Sequence, residues 1–277
     1  MKSLDGKVVL ITGAAGGIAR ETAALLLRHG VRLALTDVNA AGLKDAVKAA
    51  GSAAFLHACD VTRRADVARL VKSVKAKLGR IDILVNTAGI IVPGPFAQAR
   101  PADIERQVQV NLMGALNVIR EVAPAMIEAG GGSIITISSM AGIVPETNSA
   151  VYAATKYALR GLGLTLNLEM KPFNVHVGTV FPDSVDTPML RFEATHGGSP
   201  LTFLNPPQPP RDVALAVLRA ITRRRAEVYV PASTGVFSKI VTIWPGLVLC
   251  IWPFLAKMGA KNKAKVMKRM GIEGDAS

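Results

Sequence analysis

The chain predicts an α/β fold built on a doubly wound parallel sheet, and three observations predict it. Its apolar runs are short and continuous, as in Lys7-Val8-Val9-Leu10-Ile11-Thr12, the pattern of strands buried on both faces. Each run is followed by a longer stretch with helical spacing, so strands and helices alternate along most of the chain. The first strand also gives way to a glycine-rich turn, Gly13-Ala14-Ala15-Gly16-Gly17-Ile18-Ala19, which opens a helix running through Leu25, Leu26 and Leu27. A chain of 277 residues can bury one large core, and half of its residues are apolar.

Taken in order, the glycine turn lets backbone N–H groups approach a pyrophosphate at a helix N-terminus, although a tight strand-to-helix connection would look the same. The second strand, Arg32 to Thr36, ends at Asp37, about twenty residues past the glycines, where a carboxylate can accept hydrogen bonds from the adenosine ribose. The acid would repel a 2′-phosphate, and Val38 supplies no arginine to receive one, so NAD is favoured over NADP. Asp37 also suits a turn or helix cap. The third strand spans Ala53 to Ala58 and leads to Asp60-Val61, which could meet the adenine or cap the helix from Arg63 to Leu78. Ile81 to Val85 is the fourth strand, closed by Asn86-Thr87-Ala88-Gly89, where small residues let a ribose pass.

One helical region from Ala102 to Ala129 carries Asn111 among apolar neighbours, and a buried asparagine needs partners. Gly132 to Ile137 is a buried strand ending in Ser138-Ser139, and Ala141 to Ala150 connects it to a helix running to about Met170. That helix carries Tyr152 and Lys156, four apart and so on one face. A phenol titrates near pH ~10, too high for a base at neutral pH. A nearby ammonium, and an oxidised nicotinamide ring, would each favour the phenolate. A serine at the strand end could hydrogen-bond the oxygen that the tyrosine protonates. The sixth strand, Asn174 to Val180, precedes Phe181-Pro182-Asp183-Ser184-Val185-Asp186-Thr187-Pro188.

Together these residues resemble the short-chain dehydrogenase/reductase family from about Lys7 to Pro231. The resemblance rests on Thr12-Gly13-x-x-x-Gly17-x-Ala19, Asp37, Asp60-Val61, Asn86 to Gly89, Asn111, Ser139, Tyr152-x-x-x-Lys156 and Pro182…Val185-x-Thr187. It implies a Rossmann-like domain with Tyr152 as general acid or base, Lys156 lowering its pKa and binding the nicotinamide ribose, Ser139 polarising the substrate oxygen, and Asn111 supporting a water-linked proton path. It also implies cofactor contacts from Gly13, Ala15, Gly16, Gly17, Ile18, Asp37, Asp60, Val61, Asn86, Ala88, Gly89, Tyr152, Lys156, Pro182, Val185 and Thr187. No metal is implied. A homodimer or homotetramer through the helices of Asn111 and Tyr152 is. Ala19 stands for the usual third glycine, Thr87 for a second asparagine, and Asp183 for a common glycine.

The domain is expected to occupy residues 1–235, with a substrate lid over about 188–210 whose Met189, Leu190, Phe192, Leu201, Phe203 and Leu204 suit a lipophilic alcohol or ketone. A helix from Arg211 to Thr222 and an edge strand from Glu227 to Pro231 complete it. Residues 236–277 form an extension, apolar from Ile240 to Ala256 with tryptophans and prolines, then rich in lysine. Seventeen residues with two prolines span a membrane poorly, so the extension suits an interfacial anchor on anionic lipid or packing on protein. The net charge of +13 comes without a nucleic-acid module, which argues against nucleic acid as a partner. Two widely spaced cysteines, Cys59 and Cys250, suggest a reducing compartment, and a cytoplasmic protein, peripheral to a membrane at most, is expected. The rival reading is a non-catalytic NAD-binding sensor or a membrane-associated interaction protein.

Overall fold

A computed structural model describes residues 3–50 and 54–272. Seven parallel strands form one sheet in the order β3-β2-β1-β4-β5-β6-β7. They are β1 (Val8–Thr12), β2 (Arg32–Asp37), β3 (Phe55–Ala58), β4 (Ile83–Asn86), β5 (Gly132–Ile137), β6 (Val175–Pro182) and β7 (Glu227–Val230). The helices are α1 (Gly17–Leu27), α2 (Ala40–Ala50), α3 (Arg64–Leu78), α4 (Pro101–Val108), α5 (Gly114–Glu128), α6 (Ala150–Met170), α7 (Pro188–Thr195), α8 (Pro210–Arg223), α9 (Thr234–Ile243) and α10 (Pro245–Arg269).

Alternation along each strand divides the core into two layers. Val9 and Ile11 of β1, Ile83 and Val85 of β4, and Ile135 and Ile137 of β5 pack against α1 and α8. Val8, Leu10, Leu84 and Ile134 face the other way, against α3 and α5. The strand order reverses between β1 and β4, where Thr12 lies opposite Asn86. A crevice at the carboxyl ends of the strands therefore opens there, the usual ligand site of an open α/β sheet.

Where the structure departs from the sequence reading, a local cause is visible. The helical region read as continuous is broken by a π-turn, Gln109–Met113, between α4 and α5. That extra residue per turn turns Asn111 inward, fully buried. The fourth strand starts at Ile83 rather than Ile81, and Asp82 just before it is tied to β1 through its carboxylate, which accepts from Val8 N at 3.0 Å and Lys7 Nζ at 3.1 Å. The sixth strand runs on to Pro182, opposite Val230 of β7. Ala53, expected to begin the third strand, lies outside the described residues, and β3 starts at Phe55. Residues 188–210 are not a bare loop: they hold α7 and a 3₁₀ turn, Pro200–Phe203. The extension folds into α9 and α10, and Pro253 lies inside α10.

Candidate active site

The glycine turn is shaped by close backbone approach. Gly13 has φ +63°, and a Cβ there would lie 2.7 Å from the Ala88 nitrogen, so any side chain would clash with backbone. A Cβ on Gly17 would meet Thr187 Cγ2 at 3.2 Å, so the first turn of α1 and the loop after β6 face each other. The first turn of α1 carries no acidic side chain, which leaves its N–H groups and dipole free for an anion. Ala19 is buried in the layer against the sheet, where its methyl is accommodated.

The Asp37 carboxylate holds the turn. One oxygen accepts from Ala15 N at 3.0 Å and the other from Asn39 N at 2.9 Å. One oxygen of Asp60 accepts from Thr62 N (3.0 Å) and Thr62 Oγ1 (2.7 Å), and the other lies 3.6 Å from Arg63 Nε. Of the two roles left open for it, the turn before α3 is the one these contacts serve. Val61 packs against Gly114, where a Cβ would come within 2.6 Å of its Cγ2. Asn86 is buried, with its Oδ1 accepting from Thr12 Oγ1 at 3.3 Å, while its Nδ2 has no partner among the described residues. A buried orphan donor at the sheet's carboxyl edge fits a ribose or phosphate acceptor. The Thr87 hydroxyl, in place of a second asparagine, donates to the Thr12 carbonyl and ties β4 to β1.

Beyond these, Lys156, Asn111 and Gly89 converge. Lys156 Nζ donates to the Ile137 carbonyl at 3.0 Å and lies 5.4 Å from the centroid of the Tyr152 ring. A Cβ on Gly89 would sit 3.5 Å from Lys156 Nζ and 3.4 Å from Asn111 Oδ1. Asn111 accepts from Ile90 N (2.8 Å) and donates to Ile90 O (2.9 Å) and to Thr155 Oγ1 (3.2 Å). It therefore clamps the loop after β4 to α6. Ser138 Oγ donates to the Lys156 carbonyl at 2.9 Å and is buried, whereas Ser139, whose Oγ accepts from Ala141 N at 3.1 Å, opens onto the cavity that Tyr152 also lines. Val185 is buried, and the Thr187 hydroxyl caps α7 at Leu190 N, 3.4 Å away.

These groups line a cavity of about 240 Å³ whose apolar wall includes Ile91, Val144, Met189, Leu190, Leu204 and Leu255. Three carboxyls, of Glu146, Asp183 and Glu193, share it. Glu146, Glu193 and Leu255 were not anticipated from sequence. Two isolated acids in a loop and a lid helix look like solvated residues, and only packing brings them beside Tyr152. The lid residues divide: Met189, Leu190, Leu201 and Leu204 face the cavity, Phe203 is buried against Val266 of α10, and the exposed Phe192 stacks on His196.

Burial governs the electrostatics. It pushes the Tyr152 phenol up, with the Glu193 and Glu146 charges adding to the effect and the Ser139 hydrogen bond opposing it. It pulls Lys156 down to about 8. The sequence reading has Lys156 lowering the tyrosine pKa; among the protein's own groups, burial and then Glu193 set the direction, which is upward. Burial raises Glu193, against the 2.7 Å hydrogen bond from Thr202 Oγ1, and Asp183, against the 2.9 Å bond from Ser184 N.

Glu146 is pushed up to about 8 by burial and then by the Glu193 charge. A folded-state pKa above the ordinary 4.5 means that the folded protein holds this proton longer than the unfolded chain. Stability is undiminished below pH 4.5 and is lost as pH rises through about 8, after which the cost is constant. Glu146→Gln removes that cost. The melting temperatures of variant and parent should agree near pH 4.5 and diverge up to about pH 8, the variant ending higher by about 5 °C or more. A pH-independent gap would show that Glu146 is not the titrating group.

The profile of the family described as short chain dehydrogenase matches residues 7–196. The chain belongs to the short-chain dehydrogenase/reductase family. It is 36% identical to the 3-oxoacyl-(acyl-carrier-protein) reductase of Thermotoga maritima over 189 residues, covering 67% of this chain and 77% of that one. It is 30% identical to estradiol 17-beta-dehydrogenase 11 of Pongo abelii over 275 residues, covering 97% of this chain and 89% of that one, so that match takes in the C-terminal extension. The solved 3-ketoacyl-(acyl-carrier-protein) reductase from Brucella melitensis complexed with NADH superposes with TM-score 0.73 at 27% identity, covering 82% of this chain and 98% of that one. The dehydrogenase is thus an oxidoreductase acting on alcohol or ketone groups with NAD(P), built on a Rossmann-like fold.

Proposed function

We propose that this short-chain dehydrogenase interconverts a neutral, lipophilic secondary alcohol and its ketone with NAD(H). The observation that carries the reading is the Ser139–Tyr152 hydroxyl pair, backed by Lys156, at the wall of a mainly apolar cavity. In ketone reduction the protonated Tyr152 donates to the carbonyl oxygen while Ser139 donates a hydrogen bond to it. In alcohol oxidation Tyr152 accepts that proton. The nicotinamide supplies or accepts the hydride when bound. Lys156 binds its ribose, Asn111 orders a proton path through Lys156, and Val185 and Thr187 hold the carboxamide. Pro182 and Gly89 border the same end of the cofactor, and Asp37 favours NAD over NADP.

The carboxyls of Asp183 and Glu193 argue for a substrate without negative charge, since an anion brought beside them would be repelled when they are ionised. Residues 188–210 act as the lid over this site, residues 1–235 as the catalytic domain, and residues after 235 as an appendage to it. Self-association through α6 is supported by Tyr157, Leu164 and Leu168, exposed at helical spacing around Gly161. Both cysteines are free, in keeping with a reducing, cytoplasmic setting.

The test is NADH formation by purified protein with NAD or NADP and a panel of secondary alcohols spanning steroids, isoprenoids, long-chain alcohols and sugars. Turnover with NAD on a lipophilic member is the expected result. Turnover confined to sugars or to carboxylated substrates would overturn the substrate class.

A further inference from the structure

The helix α10 has two faces of different character. Its inner face, at Leu255, Gly259, Asn262, Val266 and Met270, lies on the lid. There Asn262 Nδ2 donates to the Leu204 carbonyl at 3.1 Å, Val266 packs on Phe203 and Leu190, and Arg191 reaches the Met270 carbonyl at 2.7 Å. Gly259 passes so close to Pro200 that a Cβ would fall 2.0 Å from its carbonyl oxygen. Leu255 reaches through to line the substrate cavity.

The outer face is exposed and has two zones. At the elbow between α9 and α10, Ile243 is 81% exposed, Trp244 73%, Leu249 69% and Phe254 70%. Further along, Lys257, Lys261, Lys265 and Lys268 are exposed at spacings of four, four and three, on the same side as Phe254. Six cations and no acid occur between residues 240 and 272. Such a face is costly to leave in water, and none of the described residues covers it.

We propose that this face of α9 and α10 docks on an anionic lipid bilayer, with Ile243, Trp244, Leu249 and Phe254 entering the acyl boundary and the lysine stripe lying along the headgroups. Charge decides between the possible occupants. A second copy of this chain would bring the same acid-free face. Two-fold pairing would set lysines on lysines, or lysines on the apolar zone, neither of which is complementary. An anionic bilayer complements both zones at once. No helix among the described residues is long and apolar enough to cross a membrane, so the helix lies in the interface rather than spanning it. Because α10 also walls the cavity at Leu255 and grips the lid, the docked surface sits beside the substrate entrance. That last consequence rests on the lipophilic substrate proposed above; the docking itself does not, so vesicle binding and turnover can fail separately.

The test is flotation of the full chain with phosphatidylcholine vesicles, with and without phosphatidylglycerol, at low and high salt. A Trp252→Phe background leaves Trp244 as the single tryptophan reporter. The expected result is binding to the anionic vesicles with a blue shift of Trp244 emission. Partitioning should fall at least about tenfold in both the Trp244→Ser/Phe254→Ser and the Lys257→Glu/Lys261→Glu variants. All of these side chains are exposed, and unchanged circular dichroism confirms that the variants fold. No binding to anionic vesicles at low salt would overturn the proposal. So would binding that the Trp244 and Phe254 changes leave intact, which would be charge alone. A change of oligomeric state in those variants without lipid binding would assign the face to a second copy instead.

Discussion

Replacing Tyr152 with phenylalanine is expected to lower turnover by about 10³-fold while leaving cofactor affinity within a few-fold of the parent. The substitution removes one hydroxyl and keeps the ring on α6, so its packing in the cavity wall survives. What is lost is the phenol that lines the cavity beside Ser139, the group proposed to exchange the substrate proton. The protein's own surroundings hold that phenol protonated: burial raises its pKa, and Glu193 and Glu146 raise it further. It is therefore poised as an acid, and the reductive direction draws on the form already present. For oxidation it must give up its proton beside Lys156, whose own pKa is lowered to about 8 by burial. Single-turnover hydride transfer, measured beside a binding titration with NADH, separates the two effects. A variant that keeps more than about a tenth of the parent rate would remove Tyr152 from the proton transfer.

The second large effect is a shift of cofactor preference toward NADP. In the double variant Asp37→Ser/Val38→Arg, the ratio of kcat/KM for NADP to that for NAD should rise by about 10² to 10³. The substitution removes a carboxylate that would face a 2′-phosphate and supplies a guanidinium that can grip one with two hydrogen bonds, each contributing about 1.5–3 kcal/mol. Val38 is 74% exposed, so an arginine fits there without repacking. The change has a common cost, because Asp37 also accepts from Ala15 N and Asn39 N and so steadies the glycine turn. Serine can keep the shorter bond to Asn39 N but cannot serve both amides, so affinity for both cofactors should drop by a shared factor. Only the ratio tests the discrimination. A parent enzyme that already prefers NADP, or a ratio unmoved by the two changes, would assign Asp37 to the turn alone.

Much of this was legible in the chain, and the reasons are local. Val8 to Thr12 reads as a doubly buried strand because both faces of that strand are covered. The pairing of Tyr152 with Lys156 is a matter of helical spacing, and the glycine turn is a matter of a backbone approach that no side chain tolerates. Asp60 shows where spacing stops being enough: its position suits adenine or a helix start, and only the geometry shows its carboxylate occupied by Thr62. The π-turn at Asn111 was invisible for a related reason. Its cause is a demand from outside the helix, the Ile90 backbone that the amide satisfies in both directions. Phe192 and Phe203 read alike in the lid, yet one is exposed and the other is buried beneath α10.

The sequence by itself determined the alternation of strands and helices, the glycine turn, and the placing of Tyr152 and Lys156 on one helix face, because each depends on periodicity or on spacing within one element; Ser139, on a different element, was legible only through the family resemblance. Tertiary structure alone decided that Glu146 and Glu193 stand beside the tyrosine, that α10 grips the lid, and that Trp244 and Phe254 face outward above a stripe of lysines. Those facts join residues of different elements, as Glu193 joins Tyr152 and Val266 joins Phe203, and the spacing along a chain carries no information about distance between elements.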